Sequence, residues 1–140
     1  MSDDILSNKA ASIERCIKRI REEYIGHEQD FLTNYTRQDA VVLNLQRACE
    51  TAIDMATHIV RIKHLGLPQS SRDLFVLLAQ TKIISEELSQ HLKSMVGFRN
   101  IAVHDYVHID LEIVTGIINY RLDDFLEFNK QLLKMGESTL

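Results

Sequence analysis

Apolar residues return at every third or fourth position from about Arg37 to Leu65, and this repeat constrains the fold more than any other feature. Steps of three and four place such residues on one face of an α-helix. The whole chain of 140 residues has only 5 glycines and 1 proline, so few positions can interrupt a helix. We therefore predict one long amphipathic helix whose buried stripe consists of Val41, Leu45, Ala48, Ala52, Met55, Ile59 and Ile62.

Three further segments show the same helical period. The first covers roughly residues 3–24. The second begins with the short helical pattern RDLFVLLAQ, which leads into a longer one that reaches Arg99. The third runs from Asp110 to about Met135. The segment HEQDFLTNY has room for a single helical turn. We predict an all-α, up-and-down bundle of four to five helices that forms one domain over residues 1–140. The terminal GESTL is expected to fray.

Residues that favour helix ends stand between these patterns. Thr36 with Asp39 resembles an N-terminal capping pair for the long helix. Ser70 or Ser71 can cap the short helix that follows the chain break, and Asp110 can cap the last helix. We therefore expect short connections between neighbouring helices.

The charge balance restricts the partners of the chain. With 16 Lys and Arg against 20 Asp and Glu, the formal net charge is −4, and a broad basic surface for nucleic acid is not indicated. A local cluster is still available, because RIKH at residues 61–64 lies near His58. This cluster could favour a helix C-terminus or guide RNA towards a site.

Cysteine usage and hydropathy indicate the compartment. Cys16 and Cys49 lack CxxC or metal-type spacing, which is typical of free thiols in a reducing compartment. The start MSDDILSNKAAS has no apolar core of a signal peptide, and no apolar run approaches the ~18 residues of a membrane span. We predict a cytoplasmic protein that has no membrane contact and needs no cofactor.

The segment RNIAVHDY, residues 99–106, departs from the amphipathic pattern. On a continuous helix, Arg99 and His104 would lie about 140° apart around the axis. Their convergence on one target requires the helix to end between them, or a second protomer to contribute one of them. Because the next helix is capped near Asp110, we expect residues 104–109 to form a bend. Arg99 would then lie in the last helical turn and His104 just beyond it.

An arginine with a histidine suits phosphodiester chemistry. The guanidinium of Arg99 matches phosphate oxygens, and the imidazole of His104 can transfer protons near neutral pH. Metal-free RNA cleavage needs two proton-transfer groups, and the motif supplies one. A two-fold dimer would supply the second. Alternatively, Arg99 pairs with a nearby carboxylate and His104 only caps the end of a helix.

Two neighbours could support or change this chemistry. Asp105 could orient the His104 imidazole or raise its pKa, or it could be a solvated bend residue. His108 lies four residues after His104, so a histidine pair for a metal is conceivable on a helix. Because no third ligand is apparent nearby, we predict no metal site.

The string R-N-I-A-V-H-D-Y resembles the R-x4-H-x-Y motif of HepT-like toxins, a branch of the HEPN superfamily of small all-α domains. Its surroundings, SMVGFRNIAVHDYVHID, and the Pro-Ser loop before RDLF are also similar to that family. The resemblance therefore covers nearly the whole chain. The Arg-x4-His pair alone is weakly specific, whereas the full string in an all-α chain of this length is much more specific.

This resemblance implies a homodimeric toxin of a toxin–antitoxin pair. Arg99, His104 and the adjacent Asn100 would form a metal-independent ribonuclease site near the dimer interface. The implied partner is an MntA-type minimal nucleotidyltransferase, an antitoxin that transfers AMP from ATP to the motif tyrosine, here Tyr106. An AMP ester would add bulk and negative charge beside Arg99 and His104, and would exclude the phosphate of a tRNA or mRNA substrate.

Two classes of function stay open at this point. The first is an endoribonuclease that is silenced by AMP on Tyr106. The alternative is a non-catalytic, nucleotide- or RNA-binding HEPN module that docks a nucleotidyltransferase. Replacing His104 with alanine should abolish RNA cleavage in the first case and leave partner binding unchanged in the second.

Overall fold

The computed structural model describes residues 4–138, and it describes side chains as far as Met135. This part of the chain is helical and contains no strand, which confirms the all-α prediction. The α-helices are α1 (Asp4–Tyr24), α2 (Glu28–Phe31), α3 (Tyr35–Ile62), α4 (Ser71–Gln80), α5 (Glu86–His104), α6 (Leu111–Tyr120) and α7 (Leu122–Ser138), and a 3₁₀ turn covers Tyr106–His108.

The described helices outnumber the four to five predicted for two reasons. The turn expected in HEQDFLTNY is a separate helix, α2, and the last helical pattern is divided at Arg121 into α6 and α7. Apolar periodicity continues across Arg121, so it could not reveal the break. Because α7 continues through Ser138, most of the tail expected to fray is helical, and its last two residues lie outside the described part.

The long helices α1 and α3 pack side by side and run in opposite directions. Lys9 near the start of α1 lies 3.4 Å from Asp54 in the second half of α3, and Arg37 near the start of α3 lies 3.3 Å from Glu23 near the end of α1. Such partly exposed ion pairs contribute little to stability. Buried apolar side chains such as Ile13 hold the pair together, since full burial of each contributes about 1.5–3 kcal/mol.

Helix α5 crosses the middle of α3 and also packs against α4. The Cys49 thiol lies 3.6 Å from the carbonyl oxygen of Met95, and the buried Ser89 hydroxyl donates a 3.0 Å hydrogen bond to the carbonyl oxygen of Phe75. These contacts satisfy polar groups inside an otherwise apolar core. The middle of α5 is therefore fixed by α3 and α4.

Helix α7 closes the bundle against α1 and α5. The buried Asn129 amide donates a 3.1 Å hydrogen bond to the carbonyl oxygen of Ala10, and the rings of Phe75 and Phe128 meet edge to face at 5.8 Å. Within residues 4–138, no helix combines the length and apolar character needed to cross a bilayer. Both cysteines are free and buried, as predicted.

Two of the three predicted caps are confirmed. Ser70 accepts a hydrogen bond from the backbone of Asp73, and Asp110 accepts one from the backbone of Glu112 at 2.8 Å. The prediction for α3 is wrong, because Asn34 caps this helix and shifts its start to Tyr35. Asp39 is thus a residue within α3 and is free to make a different contact.

Candidate functional site

Helix α5 runs without interruption through both Arg99 and His104, so the expected break between them is absent. The backbone N–H of Asp105 still donates a helical hydrogen bond to Ile101 at 2.8 Å. Neither glycine nor proline stands between Arg99 and His104, so no helix-breaking residue interrupts α5 in this stretch. The two side chains leave the helix about 140° apart and are separated by roughly 7.5 Å along its axis.

Arg99 is held among three helices. Its Nη2 donates a 3.4 Å hydrogen bond to the hydroxyl of Ser71 at the start of α4, and its Nε is buried and has no hydrogen-bond partner within the described chain. Burial raises the pKa of the Cys49 thiol on α3 to about 12, and the nearby positive charge of Arg99 opposes this rise. Among the described residues, Arg99 forms no ion pair with a carboxylate.

His104 is the last residue of α5 and is exposed to solvent. None of the residues whose side chains the structure describes makes a hydrogen bond to its ring, so both ring nitrogens are available to a ligand. Asn100, which follows Arg99 on α5, is half-buried.

Asp105 pairs with His108 and does not orient His104. Its Oδ1 lies 2.5 Å from Nδ1 of His108, and this hydrogen bond, with the charge of Asp105, raises the pKa of His108. His104 ends α5 whereas His108 belongs to the 3₁₀ turn, so the two do not share the face of one α-helix. In the described part of the chain, no three His, Cys, Asp or Glu side chains are grouped as for a metal ion.

Tyr106 reaches across to α3, where its hydroxyl donates a hydrogen bond to the carboxylate of Asp39. Burial and then this contact raise the pKa of Tyr106 to about 12. The Tyr106 residue is still 43% exposed, so a partner can approach it. Sequence reasoning missed the role of Asp39 because the two residues are 67 positions apart.

A surface groove runs between α5 and α6, beside the motif. It consists of two adjoining cavities of about 370 and 450 Å³, which share Ser94, Phe98 and Ile113. His108 lines the end nearest the 3₁₀ turn. Exposed apolar side chains, including Ile101 and Ile113, lie along the groove. Apolar surface of this kind is typical of a contact with another protein.

The basic segment RIKH lies at the opposite end of α3 from Asp39. Arg61, Lys63 and His64 are exposed there, about 35 Å along the helix from Asp39. That separation favours a role at the helix C-terminus over direct guidance of RNA to the motif.

The fold and the motif define the class of the protein. The model of the ribonuclease HepT-like family matches residues 13–132. The chain therefore belongs to the HepT-like family of ribonucleases, and the predicted resemblance to this family is confirmed.

Individual relatives carry the same family name. The chain is 54% identical over 126 residues to the mRNA nuclease HepT of Shewanella oneidensis, covering 90% of this chain and 94% of the relative. It is 27% identical over 103 residues to the tRNA nuclease HepT of Aphanizomenon flos-aquae, covering 74% of this chain and 70% of the relative.

A solved structure extends the likeness to three dimensions. It contains the tri-AMPylated Shewanella oneidensis HEPN toxin in complex with an MNT antitoxin. This chain matches it with a TM-score of 0.88 and 52% identity, covering 93% of this chain and 97% of that one.

Proposed function

We propose that the protein is the toxin of a HepT/MntA-type toxin–antitoxin pair and cleaves RNA at a site shared by two copies of the chain. The geometry of α5 carries the proposal, because one continuous helix directs Arg99 and His104 about 140° apart. A single chain therefore turns the two side chains in different directions. A second copy related by two-fold symmetry could bring its own His104 to the Arg99 side of the site.

The groove between α5 and α6 is the surface on which we expect the second copy to pack. It adjoins the end of α5 through His108, and it exposes Ile101, Ile113 and Tyr120, the last of which is 79% exposed. Burial of these side chains would favour association. An interface here would bring the two copies of the motif close to the symmetry axis.

The chemistry assigns a role to each member of the pair. One His104 takes the proton of a ribose 2′-hydroxyl as that oxygen attacks phosphorus, and the other protonates the departing 5′ oxygen. Arg99 stabilises the negative charge that develops on the phosphoryl oxygens. The products are a 2′,3′-cyclic phosphate and a 5′-hydroxyl. Asn100 would support the position of the phosphate beside Arg99. Because two imidazoles transfer the protons, a metal ion is not required.

Silencing by AMP transfer rests on the exposed position of Tyr106. The phenol is accessible at the end of the bundle, two residues after His104, so an AMP ester there would lie near the cleavage site. The tri-AMPylated state of the Shewanella toxin, in complex with its MNT antitoxin, supports this interpretation. The expected partner is therefore an MntA-type nucleotidyltransferase that docks around Tyr106.

The substrate class follows from the relatives. The names of the two similar nucleases specify mRNA in one case and tRNA in the other. We place the 54% identical relative's substrate, mRNA, first for this chain and expect cleavage in the cytoplasm. The net charge of −4 means that RNA must be held by local contacts near the motif and not by a broad basic surface.

Cleavage of a defined mRNA by the unmodified protein in EDTA tests the proposal directly. Wild type should leave 2′,3′-cyclic phosphate ends, and His104→Ala should leave the RNA intact. Intact mass must show that Tyr106 carries no AMP. His64→Asn is the matched control, since it removes an exposed histidine at the far end of α3 and asparagine tolerates its φ of 53°. An unmodified wild type that does not cut would favour the non-catalytic binding module.

Subunit mixing tests the shared site. If each site needs two copies of His104, an equal mixture of wild type and His104→Ala should keep about a quarter of the activity after random exchange, against about half if each chain acts alone. A linear dependence on the wild-type fraction would contradict the shared site and leave the ribonuclease assignment intact.

A further inference from the structure

The hydrogen bond between Tyr106 and Asp39 joins the bend after α5 to a distant part of the bundle. The other side-chain bonds of the bend are local, since Asp105 pairs with His108 and Asp110 caps α6. Tyr106 instead contacts a residue 67 positions earlier, on the first turns of α3.

Within the bend, residues 105–109, the apolar side chain that packs against the core is Ile109, at the far end from His104. His108 is exposed, and Val107 is 88% exposed, so neither side chain anchors the backbone in the core. Segments with few buried contacts open readily. A bond to a carboxylate is among the stronger hydrogen bonds, and here it comes two residues after His104.

We propose that Asp39 is a positioning residue: it ties Tyr106 to α3 and so fixes the end of α5 from which His104 projects, and AMP transfer to Tyr106 breaks this tie. The inference rests on the proposed function and deepens it. Modification would then silence the ribonuclease in two ways, by filling the site and by releasing the bend that positions His104.

The chemistry of the modification removes the bond directly. The phenolic oxygen of Tyr106 bonds to the α-phosphorus of ATP, the bond from that phosphorus to the bridging oxygen breaks, pyrophosphate leaves, and the phenolic proton passes to solvent. The ester oxygen has no hydrogen to donate to Asp39. The new phosphodiester also places negative charge beside the Asp39 carboxylate, and the two groups repel each other.

Amide hydrogen exchange tests the tie without any measurement of cleavage. Asp39→Ala, and wild type carrying AMP on Tyr106, should both exchange faster than unmodified wild type at Asp105, His108 and Ile109, whose N–H groups bond within the bend. Asp54→Ala is the matched control, because it removes an exposed aspartate in the second half of α3, away from the bend. Unchanged exchange in both test samples would overturn the proposal.

A double-mutant cycle tests the consequence for catalysis. Asp39→Ala and Tyr106→Phe should each lower kcat on the order of tenfold with KM nearly unchanged, because each loosens His104 to the same extent. The double variant should be no worse than either single one. Asp39→Asn should recover much of the activity, since its amide oxygen still accepts the bond. Additive losses would contradict a shared tie.

The two experiments separate this inference from the proposed function. If wild type fails to cleave RNA, the ribonuclease proposal fails while hydrogen exchange still decides whether Asp39 holds the bend. If wild type cleaves RNA and Asp39→Ala matches it in both kcat and exchange, the ribonuclease proposal survives and the tie is excluded.

Discussion

Arg99 and His104 stand on the same helix five residues apart, but their surroundings differ. Arg99 on α5 is partly buried beside α3 and α4, where it bonds to Ser71 and lies near Cys49. His104 ends α5 in solvent, and its neighbour Asp105 pairs with His108. The difference teaches that the bundle holds Arg99, the proposed cation of the site, whereas in our proposal the position of His104, the proton-transfer group, depends on the bend that follows it.

His104→Ala should show the largest effect on cleavage and almost none on folding. Loss of a positioned proton-transfer group lowers the rate by about 10²–10⁴-fold. Because the ring is exposed, the free energy of unfolding should change by less than about 0.5 kcal/mol. Single-turnover cleavage and urea unfolding provide the two measurements. Comparable losses of stability and activity would show that His104 has a structural role.

Arg99→Ala should lower both RNA cleavage and stability, whereas His104→Ala should lower cleavage alone. Loss of a charge-stabilising group lowers cleavage by about 10²–10³-fold. Loss of its packed stem lowers stability by about 1 kcal/mol. Arg99→Lys serves as the control, because it keeps the charge but lacks the planar fork that matches phosphate. An Arg99→Ala protein as stable as His104→Ala would show that Arg99 is no more strongly held by the bundle than His104.

Asp110→Ala should loosen the bend from its far end. Removing this N-cap of α6 costs about 1 kcal/mol, and exchange of the Glu112 amide should become faster. Ser85→Ala is the control, because it removes the equivalent cap at the end of α5 away from His104. The Ser85 hydroxyl accepts a hydrogen bond from the backbone of Leu88 there. Both changes should lower the melting temperature, but only the first should lower kcat. Equal effects on kcat would mean that the bend does not depend on its cap.

The pair of Asp105 and His108 should make the smallest contribution to stability, and this contribution should depend on pH. Its contribution is fully present below the pKa of His108 in the unfolded chain and is lost as pH rises through the raised pKa of the folded protein. NMR titration of the His108 ring should show that raised pKa, and Asp105→Asn should return it towards the ordinary value. An ordinary pKa of His108 in wild type would show that Asp105 and His108 do not pair.

The sequence was informative wherever local rules decide the structure. The apolar stripe of α3 as far as Ile59, the serine cap of α4 and Asp110 at α6 follow from spacing and side-chain chemistry alone. Ile62, predicted to belong to the buried stripe, is 47% exposed because α3 ends at this residue. The string from Arg99 to Tyr106 identified the family as well as the candidate residues, because its combination of residue types is rare in an ordinary helix.

The errors arose where distant contacts or missing stop signals decide the structure. Nothing between Arg99 and His104 marks a helix end, and the helix continues because its backbone hydrogen bonds can continue. Asp39 was assigned to a cap by its spacing from Thr36, whereas it bonds to Tyr106 in the bend after α5. Such a pairing depends on how α3 and α5 pack, which periodicity does not encode.

The buried thiol of Cys49 offers a way to measure how often the helices that hold Arg99 separate. With its pKa raised to about 12, the folded protein holds almost no thiolate at neutral pH, and only 2% of the residue is accessible. A thiol reagent must therefore wait until α3 and α5 separate. The rate of Cys49 labelling therefore reports the rate at which α3 and α5 separate around Arg99. Measured with bound RNA, or with AMP on Tyr106, it would show whether either one slows this local opening.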